Sequence, residues 1–197
     1  LDASVLQLLA VVKREDFVPA AYRALAFMDT EVPLPGGQCM LEPKVEARLL
    51  QELAVHKHER VLEVGAGSGY MAALLAHKAQ QVTTMEILPE LARLARDNLK
   101  RAAIVNVSVR EGDGSKGLSA DGPYDVIVLS GSVPEVPAAL LGQLKVGGRL
   151  VAIVGDLPIM RARLVTRSSD AGFTSVDLFD TVAPRLSGFD EPSRFHF

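Results

Sequence analysis

Apolar positions recur along the chain with two periods, and the change from one to the other divides it. Over residues 2–15, Val5, Leu8, Leu9 and Val12 fall at helical spacing and predict an amphipathic helix with Asp2 or Ser4 as its cap. Pro19 suits the first turn of a short helix through Ala26, after which Pro33, Leu34, Pro35, Gly36 and Gly37 predict an irregular connection. A helix is expected from Pro43 to near His56, because Val45, Leu49 and Leu53 share a face while Lys44, Glu46, Arg48 and Glu52 point elsewhere.

From residue 60 short apolar runs alternate with helical ones. Strands are predicted at 60–64, 81–87, 107–111, 124–130 and 149–154, and helices at 70–78, 89–102 and 137–144. Ser108 and Arg110 alternate with Val107 and Val109, which places the third strand nearer a sheet edge, whereas the other strands read as buried. Lys145-Val146-Gly147-Gly148 reads as a turn before the last of these strands. Residues 161–167 and 174–181 predict two further strands in an antiparallel edge hairpin, and Phe195-His196-Phe197 continues a sheet pattern. Strand and helix in alternation predict an α/β fold: a Rossmann-like, doubly wound, mostly parallel sheet of about seven strands. Helices would cover both faces, and the C-terminal edge would be antiparallel. At 197 residues the chain reads as one domain. Within it, 1–58 would form a helical covering segment, 59–156 the ligand-binding core and 157–197 the edge strands.

Charge narrows the functions open to such a fold. A net charge of -3 and the lack of any dense Lys/Arg run leave nothing to neutralise a phosphate backbone, so nucleic acid is not an expected partner. A single cysteine excludes an internal disulfide, and no apolar stretch reaches the roughly 18 residues of a membrane helix. The start of the chain shows no basic region followed by an apolar one, so no signal peptide is read there and the cytoplasm is the expected compartment. His56 and His58 flank Lys57 without carboxylate or thiol ligands at metal spacing, so they read as solvated and no metal site is expected.

The strongest local signal is Val61-Leu62-Glu63-Val64-Gly65-Ala66-Gly67-Ser68-Gly69-Tyr70, an apolar strand running into three glycines and then a helix. Glycine permits both the tight turn and the close approach of a ligand to the backbone. Gly65, Gly67 and Gly69 are spaced G-x-G-x-G, not the G-x-G-x-x-G of a dinucleotide loop, which argues against NAD. Glu86 ends the next strand about 20 residues on, where a carboxylate accepts from the hydroxyls of a ribose. Gly112-Asp113-Gly114 follows the third strand, so Asp113 lies at the same edge of the sheet and can accept from an adenine amino group. Ser130, Gly131 and Ser132 end the fourth strand there too. Glu63, on a buried strand, needs partners, and holding the loop or a ligand ammonium would supply them. Adenosine fits this set, and S-adenosylmethionine is the expected cofactor, with S-adenosylhomocysteine as its product.

The chain resembles the protein-L-isoaspartate O-methyltransferases, carboxyl methyltransferases that start the repair of isoaspartyl residues. The resemblance rests on Arg14-Glu15-Asp16-Phe17-Val18-Pro19, Tyr22-Arg23, Pro33-Leu34-Pro35-Gly36-Gly37-Gln38, the glycine loop, Gly112-Asp113-Gly114, Tyr124-Asp125, Pro134-Glu135-Val136-Pro137 and Leu144-Lys145-Val146-Gly147-Gly148-Arg149. The glycine loop is shared by many methyltransferases, whereas the Phe-Val-Pro, Gly-Gln and Pro-Glu-Val-Pro segments are far narrower. Residues after Asp156 match poorly. Taken with the residues argued above, the resemblance places the cofactor among Gln38, Cys39, Met40, Leu41, Glu63, Gly65, Ala66, Gly67, Ser68, Gly69, Tyr70, Glu86, Ile87, Gly112, Asp113, Gly114 and Ser130. It implies a protein or peptide acceptor bearing isoaspartyl residues.

One departure stands out. In the family the Gly-Gln pair leads into Thr-Ile-Ser, whose serine hydroxyl is regarded as catalytic, but here Gln38 is followed by Cys39, Met40 and Leu41. Leucine offers no hydrogen bond to a substrate carboxylate, and no catalytic residue is assigned from the sequence. Two other readings follow: a methyltransferase with an apolar pocket of Met40 and Leu41 for another acceptor, or a noncatalytic module that binds the cofactor or a partner. Cys39 reads as a packing residue, and Met71 and Met85 as core.

Overall fold

The computed structural model describes residues 1–191, so the Phe195-His196-Phe197 pattern lies outside the described residues. The chain opens with helix α1 (Ala3–Val11), shorter than predicted because a separate 3-10 turn takes Arg14–Asp16. Asp2 sits at the cap position without a side-chain capping bond. The expected helix after Pro19 is instead a 3-10 segment, Ala20–Leu25, kinked at Tyr22. The irregular connection contains two short antiparallel strands, β1 (Val32–Pro33) and β2 (Cys39–Met40), which close the loop around Gly36 and Gly37. Helix α2 (Pro43–Leu53) follows and ends at Ala54 in a left-handed conformation, φ 44°.

Strand β3 (Arg60–Val64), helix α3 (Tyr70–Ala76), strand β4 (Gln81–Glu86), helix α4 (Pro89–Arg101), strand β5 (Val107–Glu111) and strand β6 (Tyr124–Val133) then alternate as predicted. Helix α5 (Ala138–Leu141) is shorter than expected, and β7 (Leu144–Asp156) is longer. The predicted turn at residues 145–148 is absorbed into β7: Tyr124 pairs with Leu144 and Val126 with Arg149, so the extra residues form a bulge, with Gly147 at φ 85°. Strands β8 (Ile159–Arg167) and β9 (Phe173–Thr181) complete the antiparallel edge.

The sheet order is β5-β4-β3-β6-β7-β8-β9, with β3 through β7 running parallel and β5 at the edge its polar alternation predicts. Period-two alternation divides the apolar side chains between two cores. Val61, Val126, Val128 and Val151 face α1 to α4, whereas Leu62, Val64, Ile127, Leu129 and Leu150 face α5 and Phe189. The chain winds outward from β3 to β4 and β5, then returns to place β6 on the other side of β3. That reversal opens a crevice beyond the carboxyl ends of β3 and β6, the place where open α/β sheets bind ligands.

One expectation about α2 is overturned. Glu46 lies on its buried face at 5% exposure, not among the solvent-facing charges, because the Arg14 guanidinium packed beneath it supplies a counter-charge at 2.7 Å.

Candidate functional site

The loop after β3 is folded around the end of β4. Backbone N–H groups of Gly65 and Ala66 both donate to the Met85 carbonyl, at 2.8 and 3.2 Å. Gly67 donates to Glu86 Oε1 at 3.0 Å, and Leu88 donates to Oε2 at 3.1 Å, so the buried Glu86 carboxylate holds two loops together. Each of its oxygens keeps a lone pair for a further donor. Gly65, Gly67 and Gly69 all have positive φ, 94°, 54° and 86°, which explains glycine at each. A Cβ on Gly65 would lie 2.8 Å from the Leu186 side chain and would narrow the crevice.

Two adjoining clefts occupy the crevice. The larger, about 520 Å³, is lined by Gln38, Cys39, Gly65, Gly67, Glu86, Ile87, Gly112, Gly114 and Ser130 among the predicted residues. The inner one, about 290 Å³, is lined by Cys39, Met40, Leu41, Glu63, Gly65, Ala66, Gly67, Ser68, Tyr70 and Ser130. Their shared walls make them one depression with a wide and a narrow end. Two predicted residues line neither. Gly69 faces α4, where a Cβ would come within 3.3 Å of the Ala95 backbone. Asp113 accepts from Ser115 N–H at 2.9 Å and lies against Gly188, whose Cβ, if present, would be 2.5 Å from Oδ1.

Electrostatics differ along this depression. Glu63 is fully buried and accepts hydroxyl hydrogen bonds from Thr84 and Ser130, both at 2.6 Å. Burial nonetheless outweighs those bonds and pushes its carboxyl up to about 8. Burial, then a hydrogen bond with Glu31, pushes the Cys39 thiol up to about 12, which leaves it a thiol at neutral pH. Tyr70, buried against Phe17 with the Arg14 guanidinium 5.0 Å from its ring centre, is pushed up to about 12 by the same desolvation.

A sequence model of the family described as protein-L-isoaspartate(D-aspartate) O-methyltransferase matches residues 1–182. The chain belongs to this family. It is 45% identical over 166 residues to the protein-L-isoaspartate O-methyltransferase of Koribacter versatilis, covering 84% of this chain and 74% of that one. With the enzyme of the same name from Myxococcus xanthus it shares 46% identity over 154 residues, 78% of this chain and 73% of the relative. The fold matches a Plasmodium falciparum chain solved under the name beta-aspartate methyltransferase, in complex with S-adenosyl-L-homocysteine. That match has a TM-score of 0.84 at 21% identity and covers 94% of this chain and 91% of the other.

Several site residues of this family member carry no signal in the sequence pattern. Leu186 and Ser187 line the larger cleft because residues 184–186 run along the end of β6, where Ser132 N–H donates to the Pro184 carbonyl and Leu186 N–H to that of Ser132. The segment has no helical or strand period to mark it. Glu46 and Leu34 line the inner cleft. Arg14 was legible within its motif, but not its tie to position 41, where Nη2 donates to the Leu41 carbonyl at 2.8 Å. His56 and His58 stay exposed, with rings 6.0 Å apart and away from both clefts.

Proposed function

We propose that this chain is a methyltransferase, a single domain that uses S-adenosylmethionine to esterify isoaspartyl carboxylates in proteins or peptides, the first step of their repair. The observation that carries the reading is membership of the family over residues 1–182, joined to a crevice whose shape suits the cofactor. The larger cleft lies against the glycine loop and the ends of β3, β4 and β6. Its floor is a glycine backbone that a Cβ would obstruct.

When bound, the cofactor supplies a methyl carbon already activated by a sulfonium. The chain's own residues bind and orient. Glu86 would accept from the ribose hydroxyls through the lone pairs left by Gly67 and Leu88. Gly112 and Gly114 bring bare backbone to the side of the cleft where the adenine would lie, and Asp113, which lines neither cleft, fixes that turn by accepting from Ser115 N–H. Glu63, at the wall of the inner cleft, would serve as counter-ion to the methionyl ammonium, since a nearby cation favours the ionised form of a carboxyl that burial keeps protonated. Gln38, Cys39, Met40 and Leu41 close the depression from the N-terminal side and exclude water. An isoaspartyl carboxylate needs no general base, because a carboxyl with a pKa near 4 is ionised at neutral pH. Alignment therefore supplies most of what the protein contributes.

No helix among the described residues is long and apolar enough to cross a membrane. Incubating the purified chain with methyl-labelled S-adenosylmethionine and an isoaspartyl peptide tests the reading. Base-labile methyl ester on that peptide, and none on its normal aspartyl counterpart, is the expected result; no ester above a heat-inactivated control overturns it.

A further inference from the structure

The apolar side chain of Leu41 lines the narrow cleft, so an acceptor carboxylate entering there meets no hydroxyl from position 41. A buried polar group does face the same space. Glu46, 5% exposed, lines the inner cleft together with Leu41, Met40, Glu63 and Ser130. Its Oε1 accepts from Arg14 Nη1 at 2.7 Å, and among the described residues Oε2 has no hydrogen-bond partner. The other nitrogen of the same guanidinium, Nη2, donates to the Leu41 carbonyl at 2.8 Å. One planar fork thus fixes the Glu46 carboxyl beside the backbone of position 41.

Resting on the isoaspartyl reading above, we propose that Glu46, held by Arg14, supplies the hydrogen bond that seats the acceptor carboxylate. In its protonated form it donates through Oε2 to the isoaspartyl carboxylate and sets the acceptor in the inner cleft. Charge bookkeeping favours this arrangement. Two carboxylates close together in one buried site disfavour double ionisation, which favours one proton and one negative charge on the pair. The Arg14 guanidinium, itself buried at 6% exposure, balances that charge. Other titratable groups around Glu46 are Glu63 on β3, Tyr70 on α3 and Cys39 on β2, with Glu31 behind the thiol. Burial already holds the Glu46 carboxyl above the usual carboxylate range, against the opposing pull of Arg14.

In the transfer step, the substrate oxygen turned away from Glu46 forms the new C–O bond. The methyl carbon leaves sulfur as the C–S electron pair passes to sulfur. The proton stays on Glu46, because an ester oxygen is far less basic than a carboxylate.

The test is the pH profile of KM for an isoaspartyl peptide at saturating cofactor, in the wild type and in Glu46→Gln. In the wild type KM rises by about tenfold per pH unit once free Glu46 ionises, since binding must then take up a proton. An amide at position 46 still accepts from Arg14 and donates to the substrate, but it does not titrate. Glu46→Gln therefore raises KM several-fold at low pH and loses the alkaline rise, with kcat changing less than KM. An alkaline rise of the same size in Glu46→Gln overturns the inference while leaving the function intact. Should Glu46→Gln fail to fold, Leu41→Ser serves instead: its hydroxyl donates at every pH, so the alkaline rise shrinks, and an undiminished rise counts against the inference. A wild type that forms no ester at any pH overturns the isoaspartyl reading, and with it this role for Glu46.

Discussion

Glu63 is fully buried between Thr84 and Ser130, with its carboxyl raised to about 8 from an ordinary 4.5. Between those values the folded chain holds a proton that the unfolded chain has released, so stability falls as pH rises through this window. Glu46, raised by the same cause, adds a change of the same sign. Urea unfolding at pH 5.5 and pH 8 should therefore show a loss to which Glu63 contributes at most about 3 kcal/mol. In Glu63→Gln that share disappears, and an unchanged loss in the variant would show that Glu63 is not the group involved. Cofactor affinity should move the other way over the same range, strengthening as Glu63 ionises to meet the ammonium.

Helices α3 and α4 meet at Gly69, where the left-handed backbone and the Ala95 main chain leave no room for a side chain. Gly69→Ala should cost about 2–4 kcal/mol through backbone strain and overpacking. That corresponds to a fall in Tm of roughly 5–15 °C, read by calorimetry. Because Gly69 lines neither cleft, the affinity for cofactor of the folded variant should change little. A variant that lost binding without losing stability would place Gly69 at the ligand. The elements that the sequence made legible are those with an apolar run or period of their own: β3 and β5 have the predicted limits, and β4, α3 and α4 come within two residues of them. Elements defined by contact with distant chain were not legible. The bulge in β7 exists because β6 pairs with both sides of it, and the 3-10 turns after α1 have too few residues to show a period. In the site, the glycine loop and Glu86 could be read from spacing along a strand-turn-helix unit. Leu186 and Ser187 could not, since nothing local brings residues 184–188 back across the end of β6. The burial of Glu46 has no local signature, because its partner Arg14 lies 32 positions away.

The whole molecule brings together what each segment leaves incomplete. The order of strand addition reverses between β3 and β6, the glycine loop and Glu86 furnish the floor, residues 38–41 with Leu186 and Ser187 furnish the walls, and Arg14 ties α2 to position 41. A ligand bound only by this assembled crevice stabilises the fold by mass action, about 2.7 kcal/mol at one hundred times Kd. The central claim is that the crevice takes methionyl-adenosine ligands, and isothermal titration of the full chain with S-adenosylhomocysteine, set beside NAD, tests it most directly. The account predicts saturable one-to-one binding of S-adenosylhomocysteine and no measurable heat from NAD. Absence of binding by S-adenosylhomocysteine, or equal binding by NAD, would contradict it.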